Sequence, residues 1–251
     1  PGLDVPVVYA DDEAAIPARC AGFDAVVATL NLSVFWIAPL QQASPRPPVL
    51  GYYIQDFEPS FYRSGSPDYQ KALQSYGAVP GMVCVTKTRW NAELVQHKAG
   101  RACTVIGPSY DVDLFVPRRR SRLAWPQAPL RVVAMIRPST PRRSPLLTMQ
   151  VLKAVAQEFQ DQVEILLFGV DPSTPEFLAL PHDFAWTSAG VLSPARMALL
   201  LNEADVFVDF SQYQAMGLTA LEAMACGVAP VVPTAGGCDS FAVHERNALF
   251  V

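Results

Sequence analysis

The chain has 251 residues, enough for one large domain or two medium ones with real cores. Hydrophobic residues make up 51% and charged residues 17%, the balance of a globular protein with deeply buried strands. A net charge of −4 and a pI near 5.4 argue against a general nucleic-acid binder.

The positive charge is skewed: of 19 basic residues only Lys71, Lys87, Lys98 and Lys153 are lysines. Arginine is the better partner for phosphate, because its planar fork donates in pairs. Cys20, Cys84, Cys103, Cys226 and Cys238 form no C-x-x-C pair, which suggests buried thiols in a reducing compartment. No apolar run reaches membrane-spanning length. A cytoplasmic location is therefore expected. The chain opens on Pro1 in mid-pattern, so truncation at its N terminus is also expected.

In chain order, short apolar runs alternate with helical patterns, the signature of parallel α/β architecture. Strands are predicted at Val5–Tyr9, Ala25–Thr29, Pro48–Ile54, Gly81–Thr86 and Cys103–Ile106, with helices over 67–77 and 87–98. Residues 108–129 are rich in Pro and Arg with little periodicity and read as a linker. Its run Arg118–Arg120 with Arg122 is expected to be solvated, and is open to contact with an anionic membrane surface.

A second series follows: strand Leu130–Ile136, helix 145–159, strand Val163–Phe168, helix 194–203, strand Asp205–Phe210, helix 217–226 and strand Val228–Val232. Gly227 stands where a helix C-terminal glycine belongs. The closing "HERNALFV" stops on a further strand. The expected fold class is α/β: two Rossmann-like domains facing across a cleft. The N-terminal domain, residues 1–107, would be incomplete, and residues 130–251 would form the C-terminal domain.

Three stretches carry chemistry. In "DFSQYQAMGLTALEAMACG" a strand delivers the chain to a helix opening near Gly217, whose free N–H groups suit an anion. Glu222 is a lone acid in an otherwise apolar helix and could accept two ribose hydroxyls; a buried carboxylate capping a neighbouring backbone has about even weight. Gln214 lies at the helix mouth beside Met216, Gly217 and Leu218, within reach of the sugar side of the same ligand. In "MIRPSTPRRSP", Arg137 follows a strand, and Arg142 and Arg143 sit on the loop into the next helix. Cations so placed suit a diphosphate; a solvated basic loop is the competing reading. In "GYYIQDFEPSFYRSGSPDY" the strand ends in Gln55, Asp56 and Glu58, which could anchor sugar hydroxyls, or line a packing loop. The serines lack a G-x-S-x-G elbow, no G-x-G-x-x-G follows a strand, and the three histidines have no partner at ligand spacing, so no metal is expected.

"QAMGLTALEAMACGVAPVV" resembles the E-x7-E and A-M-A-x-G-x-P-V-V motif of glycosyltransferase family 4, two-domain enzymes of the GT-B fold. Glu222 matches the second Glu of that motif, and Gln214 replaces the first. "YYIQDFEPSFY" and "RPSTPR" are similar to the WsaF-like rhamnosyltransferase branch of that family, and "VIGPSYDVDLFVP" resembles its linker-proximal turn. The resemblance implies a retaining, metal-independent transfer from a nucleotide-diphosphate sugar, with dTDP-L-rhamnose the donor it suggests and no cofactor. The acceptor would be a glycan or lipid-linked glycan of surface polysaccharide synthesis. Catalytic roles fall to Arg137, Arg142, Gln214 and Asp56. Donor contacts fall to Arg137, Arg142, Gln214, Met216, Gly217, Leu218, Glu222 and Gly236, with Gly237 beside it. Acceptor contacts fall to Gln55, Asp56 and Glu58. A non-catalytic nucleotide-sugar-binding module, or a GT-B epimerase or hydrolase, stays open as an alternative.

Overall fold

A computed structural model describes residues 5–42 and 46–251. The chain divides into two compact units, Pro1–Gly107 and Pro108–Val251. Each has its own all-parallel sheet.

The first unit runs α1 (Ile16–Cys20), β1 (Ala25–Ala28), α2 (Asn31–Ile37), β2 (Val49–Ile54), α3 (Pro67–Ser75), β3 (Val83–Thr86), α4 (Arg89–Ala99) and β4 (Thr104–Val105). Its strands lie in the order β1-β2-β3-β4. Tyr52 and Ile54 on β2 pack with Tyr76, Val79 and Val95 in one buried cluster. Tyr76 stacks between Tyr52 and Phe57, at centroid distances of 5.7 and 6.0 Å.

The strand expected at Val5–Tyr9 is not formed. Those residues pair with nothing in either sheet, and Val5, Val7, Val8 and Tyr9 are all exposed. Alternation of apolar residues cannot make a strand without a ladder to join. The sequence reading also missed α2. Its first N–H is satisfied by a distant acid, Glu58, and the apolar N-cap Leu30 gives no capping signal, although Ser33 Oγ accepts the Leu30 N–H at 3.2 Å.

The second unit contains β5 (Leu130–Met135), α5 (Pro145–Phe159), β6 (Val163–Phe168), α6 (Pro175–Leu178), β7 (Thr187–Gly190), α7 (Pro194–Asn202), β8 (Val206–Val208), α8 (Leu218–Ala225), β9 (Ala229–Val232) and β10 (Leu249–Phe250). The sheet order is β10-β9-β8-β5-β6-β7, so the chain reverses direction of growth between β5 and β8. Period-2 alternation sends Val133 of β5 to one buried cluster, with Phe207, Ala220 and Ala223. It sends Val132 and Ala134 to another, with Met149 and Leu152 of α5. Helices thus cover both faces, the doubly wound arrangement in which ligands bind beyond the strand carboxyl ends at the reversal.

Residues 108–129 lie against this second unit. Phe115 enters its core, and the Asn202 side chain both accepts from the Arg118 N–H (2.6 Å) and donates to the Val116 carbonyl (3.1 Å). The arginine run is therefore not simply solvated: Arg120 and Arg122 both pair with Asp205, Arg122 at 2.7 Å. The Arg131 N–H also donates to Asp205, at 2.8 Å. Burial pushes the Asp205 carboxyl up, but the Arg131 N–H and the two guanidiniums outweigh it and hold it below its ordinary value.

A carboxylate so held contributes stability above the unfolded value near 3.9 and loses it as pH falls through the lower folded value. Asp205→Ala leaves two guanidiniums without their acid and is expected to cost about 3 kcal/mol at neutral pH. Urea unfolding of the variant and parent at neutral and acid pH checks this; equal midpoints at neutral pH would refute it.

Candidate functional site

The site is built where β5 and β8 part company. Beyond Met135 the chain passes through buried Ile136 to Arg137, which is exposed. Beyond Val208 it passes to Asp209 and Ser211. A small recess there is lined by Arg137, Arg143, Thr148, Asp209, Ser211 and Thr219.

Asp209 organises the recess. Its Oδ1 accepts from the Ser211 N–H at 2.9 Å and from the Ser211 hydroxyl, and its Oδ2 accepts from Gln214 Nε2 at 2.6 Å. Arg143 approaches the same oxygen at 4.0 Å. Gln214 is 3% exposed, and Nε2 also reaches Ser211 Oγ at 3.1 Å. Gln214 therefore holds the β8–α8 turn through its amide donors, a task a carboxylate cannot perform.

Two glycines pack this turn against the β9 loop. A Cβ on Gly236, at φ 123°, would stand 2.1 Å from the Gln214 carbonyl oxygen, and the Gly237 N–H donates to that oxygen at 2.7 Å. A Cβ on Gly217, at φ 78°, would meet Cys238 Sγ at 2.5 Å. The space these glycines leave is taken by the protein itself rather than kept open for a ligand. Met216 is buried beside them, and Leu218, 41% exposed, opens α8.

Glu222 lies one turn beyond Thr219 on the same face of α8. Its side chain is 6% exposed, and among the described residues no hydrogen bond or ion pair reaches its carboxylate. Burial alone pushes its pKa up to about 7. Capping of a neighbouring backbone, the competing reading of this acid, is not what the structure shows. Arg137 is similarly uncommitted: its Nε–H contacts Met135 Sδ at 3.5 Å and it pairs with no acid among the described residues. Arg142 sits over the Tyr213 ring at 5.5 Å, and its carbonyl accepts the Gln212 N–H, so Arg143 rather than Arg142 lines the recess.

In the first unit, Glu58 is 1% exposed and accepts from the Asn31 backbone N–H at 2.5 Å and from Asn31 Nδ2 at 2.8 Å. It caps α2 from 27 residues away and cannot also face an acceptor. Burial raises its pKa despite those donors. Asp56 is buried next to it and accepts the Phe57 N–H, while exposed Gln55 donates to the Thr29 carbonyl. At the neighbouring strand end, Lys87 lies 5.7 Å from the Tyr53 ring. Burial lowers its pKa, and Asp56 partly offsets that. Asp209, Ser211, Thr219 and Lys87 were not among the expected site residues. Acids and hydroxyls just past a strand's carboxyl end were the available signal.

Residues 131–251 match the family model described as glycosyl transferases, group 1. The chain is 31% identical over 207 residues to the O-antigen biosynthesis protein RfbC of Myxococcus xanthus; the match covers 82% of this chain and 15% of that protein. Among solved structures it is similar to sucrose-phosphate synthase from Thermosynechococcus elongatus, with a TM-score of 0.73 at 20% identity, over 95% of this chain and 63% of that one. It is likewise similar to Anabaena Alr3699/HepE in complex with UDP-glucose, with a TM-score of 0.73 at 17% identity, over 95% and 67%. These likenesses establish the GT-B-type α/β fold. The chain spans only part of the length of the proteins it matches.

Gln214→Glu would set a carboxylate against the Asp209 oxygen at 2.6 Å. The new acid would hold its proton, so its cost is absent below the usual carboxylate range and grows as pH rises. The variant is expected to lose about 1–3 kcal/mol at about pH 8 and to match the parent at about pH 4 or below. Thermal melts at the two pH values check this; equal stability at the higher pH would overturn the Asp209–Gln214 assignment.

Proposed function

We propose that the chain, whose residues 131–251 match the model for group 1 glycosyl transferases, is the sugar-transferring part of a glycosyltransferase. It takes a sugar from a nucleotide-diphosphate donor and passes it to a glycan or lipid-linked glycan acceptor. The carrying observation is Glu222, buried without a partner one turn behind a recess lined by an uncommitted Arg137.

Each group has a task in that reading. Glu222 accepts the two ribose hydroxyls, which replace the hydrogen bonds its carboxylate lacks. Arg137 and Arg143 meet the diphosphate, with Arg142 behind them, and neutralise the charge that grows as the sugar leaves. Gln214 acts as a positioning residue: with its amide given to Asp209 and Ser211, it keeps the turn that faces the sugar. Asp56 and Gln55, with Lys87, form the acceptor side. Retention of configuration, a metal-independent step and L-rhamnose as the transferred sugar belong to the same proposal, supported by the "RPSTPR" and "YYIQDFEPSFY" stretches. Surface-polysaccharide synthesis is supported by the likeness to an O-antigen biosynthesis protein. A nucleotide-sugar-binding module without turnover is the second reading, favoured by the burial of Gln214.

Glu222 has its pKa raised, so the free chain is favoured in acid and loses that contribution as pH rises through about 7. Ribose hydroxyls stabilise the ionised form, so nucleotide binding strengthens over the same interval. Calorimetry with dTDP, UDP and GDP should show one nucleotide binding roughly tenfold tighter at about pH 8 than at about pH 5.5. Glu222→Gln should flatten that dependence, and Arg137→Ala should weaken binding about tenfold or more at both pH values. A folded chain that binds none of the three would sink the donor-site assignment. Binding without sugar release from the matching nucleotide sugar, with acceptor supplied, would favour the module.

A further inference from the structure

Cys84 and Cys103 lie outside the site and take no part in the proposed transfer. They are brought together by sheet register. Val85 of β3 pairs with Thr104 of β4, so the residues one step back on each strand, Cys84 and Cys103, stand side by side. Neighbouring parallel strands are about 4.8 Å apart, within the Cα separation of about 4.4–6.8 Å that a disulfide requires. Paired positions on parallel strands point to the same face, so the two side chains lie side by side on one face of the β3–β4 pair.

A cation completes the cluster. Arg101 Nε–H donates to Cys84 Sγ at 3.2 Å, while its terminal nitrogen donates to the Met82 carbonyl, which fixes the guanidinium against the sulfur. Cys84 is buried, but Cys103 is half-buried and lines an open surface groove with Glu93, Gln96 and His97. The cluster thus has a buried sulfur beside a fixed positive charge and a second sulfur at a solvent-accessible edge.

We propose that Cys84 and Cys103 are a thiol oxidation site, at which a hydroperoxide entering by the groove closes an intramolecular disulfide. In the first step the Cys84 thiolate attacks the O–O bond, giving a sulfenic acid and hydroxide. In the second, the Cys103 sulfur displaces the sulfenic oxygen, which leaves as water with the Cys103 proton. The peroxide is reduced by two electrons and the two sulfurs are oxidised by one each. The neighbouring Cys103 thiol, together with the Arg101 guanidinium, holds the Cys84 thiol below its ordinary value against the effect of burial. The new bond would close a loop that contains all of α4 and tie β4 to β3, the strand just before Lys87.

Hydrogen peroxide added to the reduced chain, followed by alkylation and peptide mass mapping, tests this. The expected product is one species lighter by two hydrogens, with the Cys84 and Cys103 peptides joined and separated again by dithiothreitol. It should melt several degrees higher than the reduced chain. Arg101→Met should slow the oxidation roughly tenfold. Arg101→Lys should restore part of the rate, which separates a charge effect from a loss of packing. Both thiols remaining open to alkylation, crosslinks spread over Cys20, Cys226 and Cys238, or a rate indifferent to Arg101 would each overturn the assignment.

Discussion

The Asp209 carboxylate is the constraint on which the carboxyl edge of the second sheet depends. β8 ends one residue before it, and the chain must then turn sharply to start α8. Both carboxylate oxygens are committed to that turn, one to Ser211 and one to the Gln214 amide. Gln214 in turn seats Gly236 and Gly237 against its own backbone, which brings the β9 loop alongside. A side chain on Gly236 would collide with Gln214, and one on Gly217 with Cys238. The glycines are thus required by the packing of two loops that a shared acid holds in place.

That dependence explains why parts of the architecture were legible in the sequence and others were not. The helix 145–159 and the strand Val163–Phe168 coincide with the observed elements, because long apolar runs with the right period leave little choice. The strand Thr187–Gly190 reads "TSAG" and gives no such signal; its position follows from β6, against which it pairs with a shift in register. Val5–Tyr9 gave the opposite error, a good local pattern with no ladder to join. The arginine run looked like solvated linker because its acid, Asp205, lies more than eighty residues away. Composition sees charges but not the partner that long-range folding supplies.

Glu58 and Glu222 make the same point about the site. Both are buried acids near the ends of secondary structure, and each could have been read as structural or functional. Glu58 receives two donors from Asn31 and is part of the fold. Glu222 receives none among the described residues, although its neighbours on α8 are packed in the core. Leaving a carboxylate buried and unpaired is expensive, and the same burial raises its pKa. Such a group persists where a ligand supplies the missing donors. Only the tertiary partners separate the two cases, so residue type and spacing alone could not.

The short strand β8 carries the argument one step further, since an aspartate flanks it at each end. Asp205, at the amino end, is closed off by Arg120, Arg122 and the Arg131 N–H, with residues 108–129 lying against it. Asp209, at the carboxyl end, meets the Arg143 guanidinium at 4.0 Å, beside Arg137, which has no acid among the described residues. The strand therefore separates a satisfied ion cluster from an edge that carries one uncommitted guanidinium, Arg137. In a parallel sheet whose helices cover both faces, the carboxyl edge at a reversal of strand order is where ligands bind. Stability is thus secured at one end of β8, and the Arg137 guanidinium is left over at the other. An anion with two or more acceptor oxygens would pair with Arg137 without disturbing Asp209, whose oxygens already hold the turn.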